Sequence, residues 1–440
     1  LILIDFQITV LLFFYCVGSG VFNLNLKGFL MKKALWLAAI PLALSVGQSA
    51  YASGYALPEQ SVVGLGRSFA GAGVMGDDLS AVFYNSAGMT LSSGTQVQVG
   101  VTNLGASISF DGYYDSPIKG DVQGTENGRR PGLLLVPNLF MTHQVNEKLF
   151  IGLGVTAPFG SGTSYNTNWV GRNDGTESLI QAIDINPTIA YQLTPEWSIG
   201  GGVSAQMASA LLEFGLFVPG ALGKSETSDW GFGYNLGTMY QKDALKVGLS
   251  FRSKVVHETS GDFTVTGLPG LNGVYDSAAD LTTPETVALS TSYRVSDPLT
   301  LSSTVTWTNW SRFDTLNIVT SSPANTLTLE NQWKDSWAFA VGADYKYSEA
   351  VTLRTGIGYS KTPIPNPEMR NALLPDSDSV RLSIGSSWSP NKNWTFDAGY
   401  MYLMSVGDTA TNHHNAGGGT VVGEYDVNVN IIGVQMQYRY

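Results

Sequence analysis

The chain has 440 residues, 43% of them hydrophobic and 11% aromatic, with only 13% charged and a formal net charge of −11. Soluble domains carry about 25% charged residues, so a soluble enzyme fits poorly, and an acidic chain offers no basic face for nucleic-acid phosphates. One cysteine, Cys16, against fifty glycines excludes a disulfide framework and favours turns and close backbone approach.

In chain order, residues 1–30 contain no methionine and read as a non-native upstream extension of the reading frame, although "ITVLLFFYCVG" has the look of a membrane helix. Met31 is followed by Lys32-Lys33, the apolar run "ALWLAAIPLALSVG" and the A-x-A site Ala50-Tyr51-Ala52. That order is a secretory signal peptide over 31–52. A membrane anchor is the competing reading, but the run is too short and ends in small residues. The exported chain would begin at Ser53, free of cysteine and more acidic still, since Lys27, Lys32 and Lys33 are lost against Asp5 alone.

The segment Ser53–Ser93 is small and apolar, hard to solvate as a free tail, and is expected to fold as a plug over 53–94. Within it "GAGVMG", Gly71–Gly76, matches G-x-G-x-x-G. A dinucleotide site needs a preceding strand and a crossover helix, and neither is present in the pattern. The glycines Gly71 and Gly73 instead read as a compact turn, with Asp77 or Asp78 capping a short helix "LSAVFY" that runs into a turn at Asn85-Ser86-Ala87.

From residue 95 onward the pattern is period two. In "WAFAVGADYKY", Trp337, Phe339, Val341, Ala343, Tyr345 and Tyr347 share one face; in "WTFDAGYMY", Trp394, Phe396, Ala398, Tyr400 and Tyr402 do. The opposite faces are Gly, Ser, Thr and a few charges, and Trp and Tyr gather near strand ends. That is a barrel with lipid outside, a polar lumen and aromatic girdles. Fourteen strands are predicted, near 95–111, 132–143, 149–157, 180–193, 197–209, 229–241, 245–258, 284–294, 299–309, 336–347, 351–362, 378–389, 394–404 and 425–440. Short turns such as "VNEK", "TPE" and "KDA" alternate with long segments at 158–179, 210–228, 259–283 and 405–423, the asymmetry of periplasmic turns and external loops. The apolar face of the last strand switches from Val427, Val429 and Ile431 to Ile432, Val434 and Met436, which predicts a bulge near Ile431-Ile432. An alternating strand ending in Tyr440 resembles the signal read by the outer-membrane assembly machinery. The fold class is all-β: a 14-stranded antiparallel transmembrane β-barrel over 95–440 with an N-terminal hatch inside the lumen, expected as a monomer in outer-membrane lipid.

The start "SGYALPEQSVVGLGRSFAGAGV…DDLSAVFYNSAGMT" resembles the hatch of the FadL-type long-chain fatty acid transporters of Gram-negative outer membranes. "VPNLF" (136–140), "WVGR" (169–172), "INPTIAYQLTPEWSIGGG" (185–202), "WTNWSRF" (307–313) and "TPIPNPEMRNALLPDSD" (362–378) extend the likeness along the exported chain. The resemblance implies passive uptake of hydrophobic molecules, with lateral exit beside a kinked third strand, here "LFIGLGVTAPFG" with Gly152, Gly154 and Pro158. The family hatch carries Asn-Pro-Ala where this chain has Asn85-Ser86-Ala87, so a fixed φ is lost.

For the ligand, "ALLEFGLFVPGALGK" (210–224) sets Leu211, Leu212, Phe214, Leu216, Phe217, Val218 and Leu222 in a predicted external loop. So apolar a loop packs against its neighbours or offers a first, low-affinity groove for an acyl chain. A carboxylate headgroup needs a cation deeper in; Lys334 and Arg381 both extend by parity into the lumen, where they meet ligand or pair with acids. An outer-membrane hydrolase is disfavoured: no G-x-S-x-G occurs, and His413-His414 lie in a glycine-rich loop, solvated rather than metal-bound. No metal or cofactor is expected. A structural or adhesive barrel is a further alternative, but would not need an apolar plug. Among transported molecules, monoaromatic hydrocarbons compete with long-chain fatty acids.

Overall fold

The computed structural model describes residues 54–440, apart from 117–119, 129–133, 217, 324–325 and 415–418. The predicted signal peptide over 31–52, residues 1–30 and Phe217 lie outside the described residues.

Fourteen antiparallel strands close on themselves. They are β1 (Thr95–Ser116), β2 (Leu134–Gln144), β3 (Leu149–Ser164), β4 (Glu177–Gln192), β5 (Trp197–Gly215) and β6 (Leu222–Lys242). β7 (Leu245–Arg252 and Val255–Thr266) and β8 (Gly273–Thr283 and Thr286–Arg294) are each interrupted once. β9 (Leu299–Thr308), β10 (Ser336–Lys346), β11 (Val351–Ser360), β12 (Ser379–Trp388), β13 (Trp394–Ser405) and β14 (Thr420–Arg439) complete the wall. β14 closes the barrel by pairing with β1 from Gln96↔Arg439 to Asp115↔Thr420.

Outward residues are apolar and face the bilayer: Val203 is 62% exposed, Phe232 77% and Ile384 61%. Trp197, Tyr293, Tyr347, Trp388 and Tyr440 cluster by the short turns, as an interfacial girdle does.

Three expectations are corrected. First, the segments 210–228 and 259–283 are largely strand, and strand also reaches into 158–179 and 405–423: β5 runs to Gly215 and β6 starts at Leu222. A membrane strand needs about 9–11 residues, whereas β1 has 22. Beyond the bilayer the ladders continue because each backbone donor still finds its partner in the next strand. Second, β14 has no bulge: Ile431 and Ile432 lie in unbroken register with Leu104 and Asn103 and with Met401 and Tyr400. Third, the lumen is not uniformly polar. Gln96, Gln98 and Thr102 face inward near the short-turn end of β1, but Leu104, Ile108 and Phe110 follow on the same face and pack with Val427, Val429, Ile431, Met401 and Leu403. The apolar residues change face because the interior itself turns apolar toward the external end.

The segment 54–94 lies against this inner surface. It holds α1 (Val62–Leu65), capped by Ser61, whose hydroxyl accepts from Gly64 N–H at 2.8 Å, then α2 (Ala81–Tyr84) and a 3-10 turn, Ser86–Leu91. Gly71, Gly73 and Gly76 have φ of 69°, 76° and 75°, left-handed values that make "GAGVMG" a turn and favour glycine at each.

Candidate functional site

The hatch is fastened to the wall by charge, by glycine and by strand pairing. Arg67 contacts Asp77 at 2.5 Å and Asp344 of β10 at 3.2 Å; Arg354 of β11 contacts Asp344 at 2.6 Å and Asp77 at 3.3 Å. Asp77 is therefore an ion-pair partner, not a helix cap. Burial pushes its carboxyl up, but Arg67 and Arg354 outweigh burial and hold it well below the usual range. Asp78 accepts from the hydroxyls of Ser61 and Ser80 and from Ser80 N–H at 3.3 Å, ahead of α2, whose cap position Ser80 occupies without a side-chain cap bond of its own. Burial and the neighbouring Asp77 push Asp78 up.

The Asn85-Ser86-Ala87 turn is held by hydrogen bonds rather than by a proline ring. Asn85 caps the 3-10 turn by accepting from Ala87 N–H and donates to Thr238 O at 3.1 Å, while Ser86 donates to Asn235 at 3.1 Å. It sits so close to the wall that a Cβ on Gly237 would lie 2.1 Å from Asn85 Oδ1. Gly152 and Gly154 likewise make room, for Met89 and Val82, and pair regularly on both sides. They are not where β3 weakens.

The weak point is Ala157-Pro158. β3 pairs with β2 only as far as Leu139↔Val155, and its register with β4 shifts between Thr156 and Phe159. Among the described residues, the edge of β3 above Val155 meets the hatch instead of β2. Leu57 N–H donates to Pro158 O and Gly160 N–H to Tyr55 O, both at 2.8 Å. Gln60 donates to Ala157 O at 2.7 Å and accepts from Ala157 N–H at 3.2 Å. Tyr55 is fully buried in a box of Phe159, Trp310, Phe313 and Trp333.

Beside this edge is an interior cavity of about 170 Å³, lined by Leu57, Pro58, Phe69, Phe83, Tyr84, Pro158 and Phe159 with two cations, Arg252 and Arg381. Arg252 is already engaged: it contacts Asp184 at 2.9 Å, donates to Phe83 O and lies 4.4 Å above the Phe83 ring. Arg381 is 4% exposed and its Nε has no hydrogen-bond partner among the described residues. Its lumenal placement follows strand parity. Lys334 does not share that placement: it is exposed, and Trp333 takes the interior. Lys334 precedes Ser336, where β10 begins, so the strand alternation on which the parity count depends does not extend to it.

The apolar hairpin residues divide between faces. Leu212 is buried with Ala208, Ile180 and Trp310, Leu211 takes the opposite face of β5, and Phe214 stacks on Phe263 at 6.3 Å. Leu216, Val218 and Leu222 remain near the tip, where Val218 is 44% exposed.

Over the external end, His413 is not solvated: it is 8% exposed and bonded to Asp174, which also accepts from Ala372 N–H at 2.7 Å. Burial alone lowers the imidazole, but Asp174 more than compensates and holds it above its usual 6.5. The contribution of the pair is therefore full below pH 6.5 and lost as pH rises through the higher folded value. Hydrogen exchange at Ala372, corrected for intrinsic rates, is expected to accelerate over that rise, and His413→Gln should abolish the pH dependence.

Residues 43–440 match the model of a family described as outer membrane protein transport protein (OMPP1/FadL/TodX). The chain belongs to this family. It is 29% identical to a putative outer membrane protein of Neisseria meningitidis, covering 93% of this chain and 99% of that one. It is 26% identical to the long-chain fatty acid transport protein of Escherichia coli, covering 83% and 90%. Its fold is that of a Pseudomonas aeruginosa FadL homologue (TM-score 0.78, 22% identity, 88% and 99% covered) and of the P. putida toluene transporter TodX (TM-score 0.64, 14% identity, 82% and 94% covered). The chain is an outer-membrane transporter of hydrophobic compounds by family.

Proposed function

We propose that the barrel takes up carboxylate-bearing hydrophobic molecules, long-chain fatty acids foremost, without catalysis or cofactor. The hairpin tip around Leu216, Val218 and Leu222 makes first contact, the cavity receives the chain, and the molecule leaves sideways past Pro158. The observation that carries this reading is Arg381: a buried guanidinium without a full set of partners, in a pocket of mixed lining where Phe69, Phe83 and Phe159 offer apolar surface, is a site for an anionic head. The segment 54–94 would act as the plug, and the Tyr440-ended strand would hand the monomer to the assembly machinery.

A second reading has its own support. The cavity is close in size to the roughly 150 Å³ that holds benzene, so as it stands it accepts a single ring, or one end of an acyl chain. A long chain requires the hatch side of the lining, Leu57 to Tyr84, to yield.

Oleate and toluene binding to purified barrel separates the two. Arg381→Ala is expected to weaken oleate about tenfold or more and leave toluene unchanged, with Lys334→Ala silent for both. Oleate binding that survives Arg381→Ala overturns the carboxylate reading. Mass spectrometry of lipid extracted from purified protein provides the independent check.

A further inference from the structure

The hatch places a second buried charge next to Arg381. Glu59 is fully buried, and neither carboxylate oxygen has a hydrogen-bond partner among the described residues. The cation that acts on it is Arg381, itself short of a partner at Nε and lying over Gly358, where a Cβ would come within 2.9 Å of that nitrogen. Pro58, the residue before Glu59, lines the same cavity as Arg381, and the two opposite charges attract each other there without closing into an ion pair among the described residues. The next residue, Gln60, holds the Ala157 peptide through both its N–H and its C=O, at the stretch of β3 that β2 does not pair.

We infer that Glu59 is the resident counter-ion of Arg381, that an entering anionic head displaces it, and that Gln60 carries this displacement to the open edge of β3. The inference rests on the reading of Arg381 as a headgroup site. A ligand shifts a conformational equilibrium only by its differential affinity for the two states, and the exchange supplies that difference. A head that bonds Arg381 takes up the favourable charge acting on Glu59, and a Glu59 that stays ionised is then a buried, uncompensated carboxylate driven out of its place. Moving Glu59 moves Gln60, whose two bonds to Ala157 stand in for strand pairing. A neutral hydrocarbon fills the cavity without triggering this exchange, so Glu59 makes opening selective for anions.

Protonation offers a second handle. Burial pushes Glu59 up to about 7, with Arg381 opposing. The other titratable group facing it is Tyr84, at the end of α2, whose hydroxyl donates to Pro58 O and which burial holds protonated far above neutrality. Below about pH 7 Glu59 is neutral and Arg381 is free for ligand.

The test measures binding of a straight-chain alkyl sulfonate, whose head stays ionised, and of the matching alcohol to the full barrel. Sulfonate affinity of the unsubstituted protein is expected to rise about tenfold as pH falls through about 7. In Glu59→Gln it should be tight at every pH, and the alcohol should bind alike throughout. Sulfonate should also accelerate hydrogen exchange at Ala157, and Gln60→Leu should do so without ligand. A pH-independent sulfonate affinity in the unsubstituted protein, or Ala157 exchange unmoved by sulfonate, overturns the inference while leaving Arg381 as headgroup site. Alcohol binding with no sulfonate binding overturns both.

Discussion

Arg67→Ala is expected to release the hatch: vesicles carrying the variant should leak small sugars, and its thermal melting should begin well below that of the parent. Arg67 is 3% exposed and answers both Asp77 and Asp344; its Nε also donates to Ala70 O at 2.8 Å. Removing it leaves the buried Asp344 and the partly buried Asp77 sharing Arg354 alone. Breaking a buried ion pair from one side costs about 3–5 kcal/mol, a large fraction of what holds a short, mostly irregular segment in place. Arg67→Lys retains charge but loses the fork that reaches two acids at once, so an intermediate leak is expected. The sign of the pH dependence is fixed by Asp77. Its lowered carboxyl contributes fully above the ordinary value of 3.8 and is lost only as pH falls through the lower folded value. The closed state should therefore tolerate mild acid. Leakage and melting equal to the parent's would show that the quartet does not fasten the hatch.

What was legible in the sequence follows from where solvent lies. Strands that pass between lipid and a lumen alternate strictly, so Trp337 to Tyr347 and Trp394 to Tyr402 declared their faces and the fourteen strands could be placed. Where both faces meet water or protein the alternation weakens, and "ETSGDFTVT" looked like loop although β7 continues through it. The inward Val427, Val429 and Ile431 looked like a bulge because the parity argument assumed a polar interior along its whole height. The ion quartet was hidden because it joins residues far apart, 277 positions in the case of Arg67 and Asp344, with no periodic signature. Arg381 could be placed in the lumen because β12 is regular around it; Lys334 was misplaced because it lies before β10 begins, where strand alternation no longer holds. The Gln60 clamp has no local signal at all, since its partner is the peptide of Ala157.

That clamp region permits a decisive test of the exit route. Ala56 and Phe159 form an isolated antiparallel bridge flanked by the bonds Leu57 N–H to Pro158 O and Gly160 N–H to Tyr55 O. They are thus a non-hydrogen-bonded pair, for which Cα atoms lie about 4.5 Å apart, within the roughly 4.4–6.8 Å that a disulfide spans. The sole cysteine is Cys16, so no other thiol competes from Ser53 onward. In the double variant Ala56→Cys, Phe159→Cys, oxidation should staple the hatch across the open edge of β3. Uptake of a fluorescent fatty acid by cells lacking their own transporter should fall to background and return on reduction. The single variants control for the Phe159 ring, whose loss from the box around Tyr55 loosens the hatch and works in the opposite direction. If the staple forms, as shown by altered mobility on a non-reducing gel, and uptake persists, the molecule does not leave between β2 and β3. Loss that reduction reverses ties transport to the separation of Tyr55–Gln60 from β3, because the bond constrains nothing else in the wall.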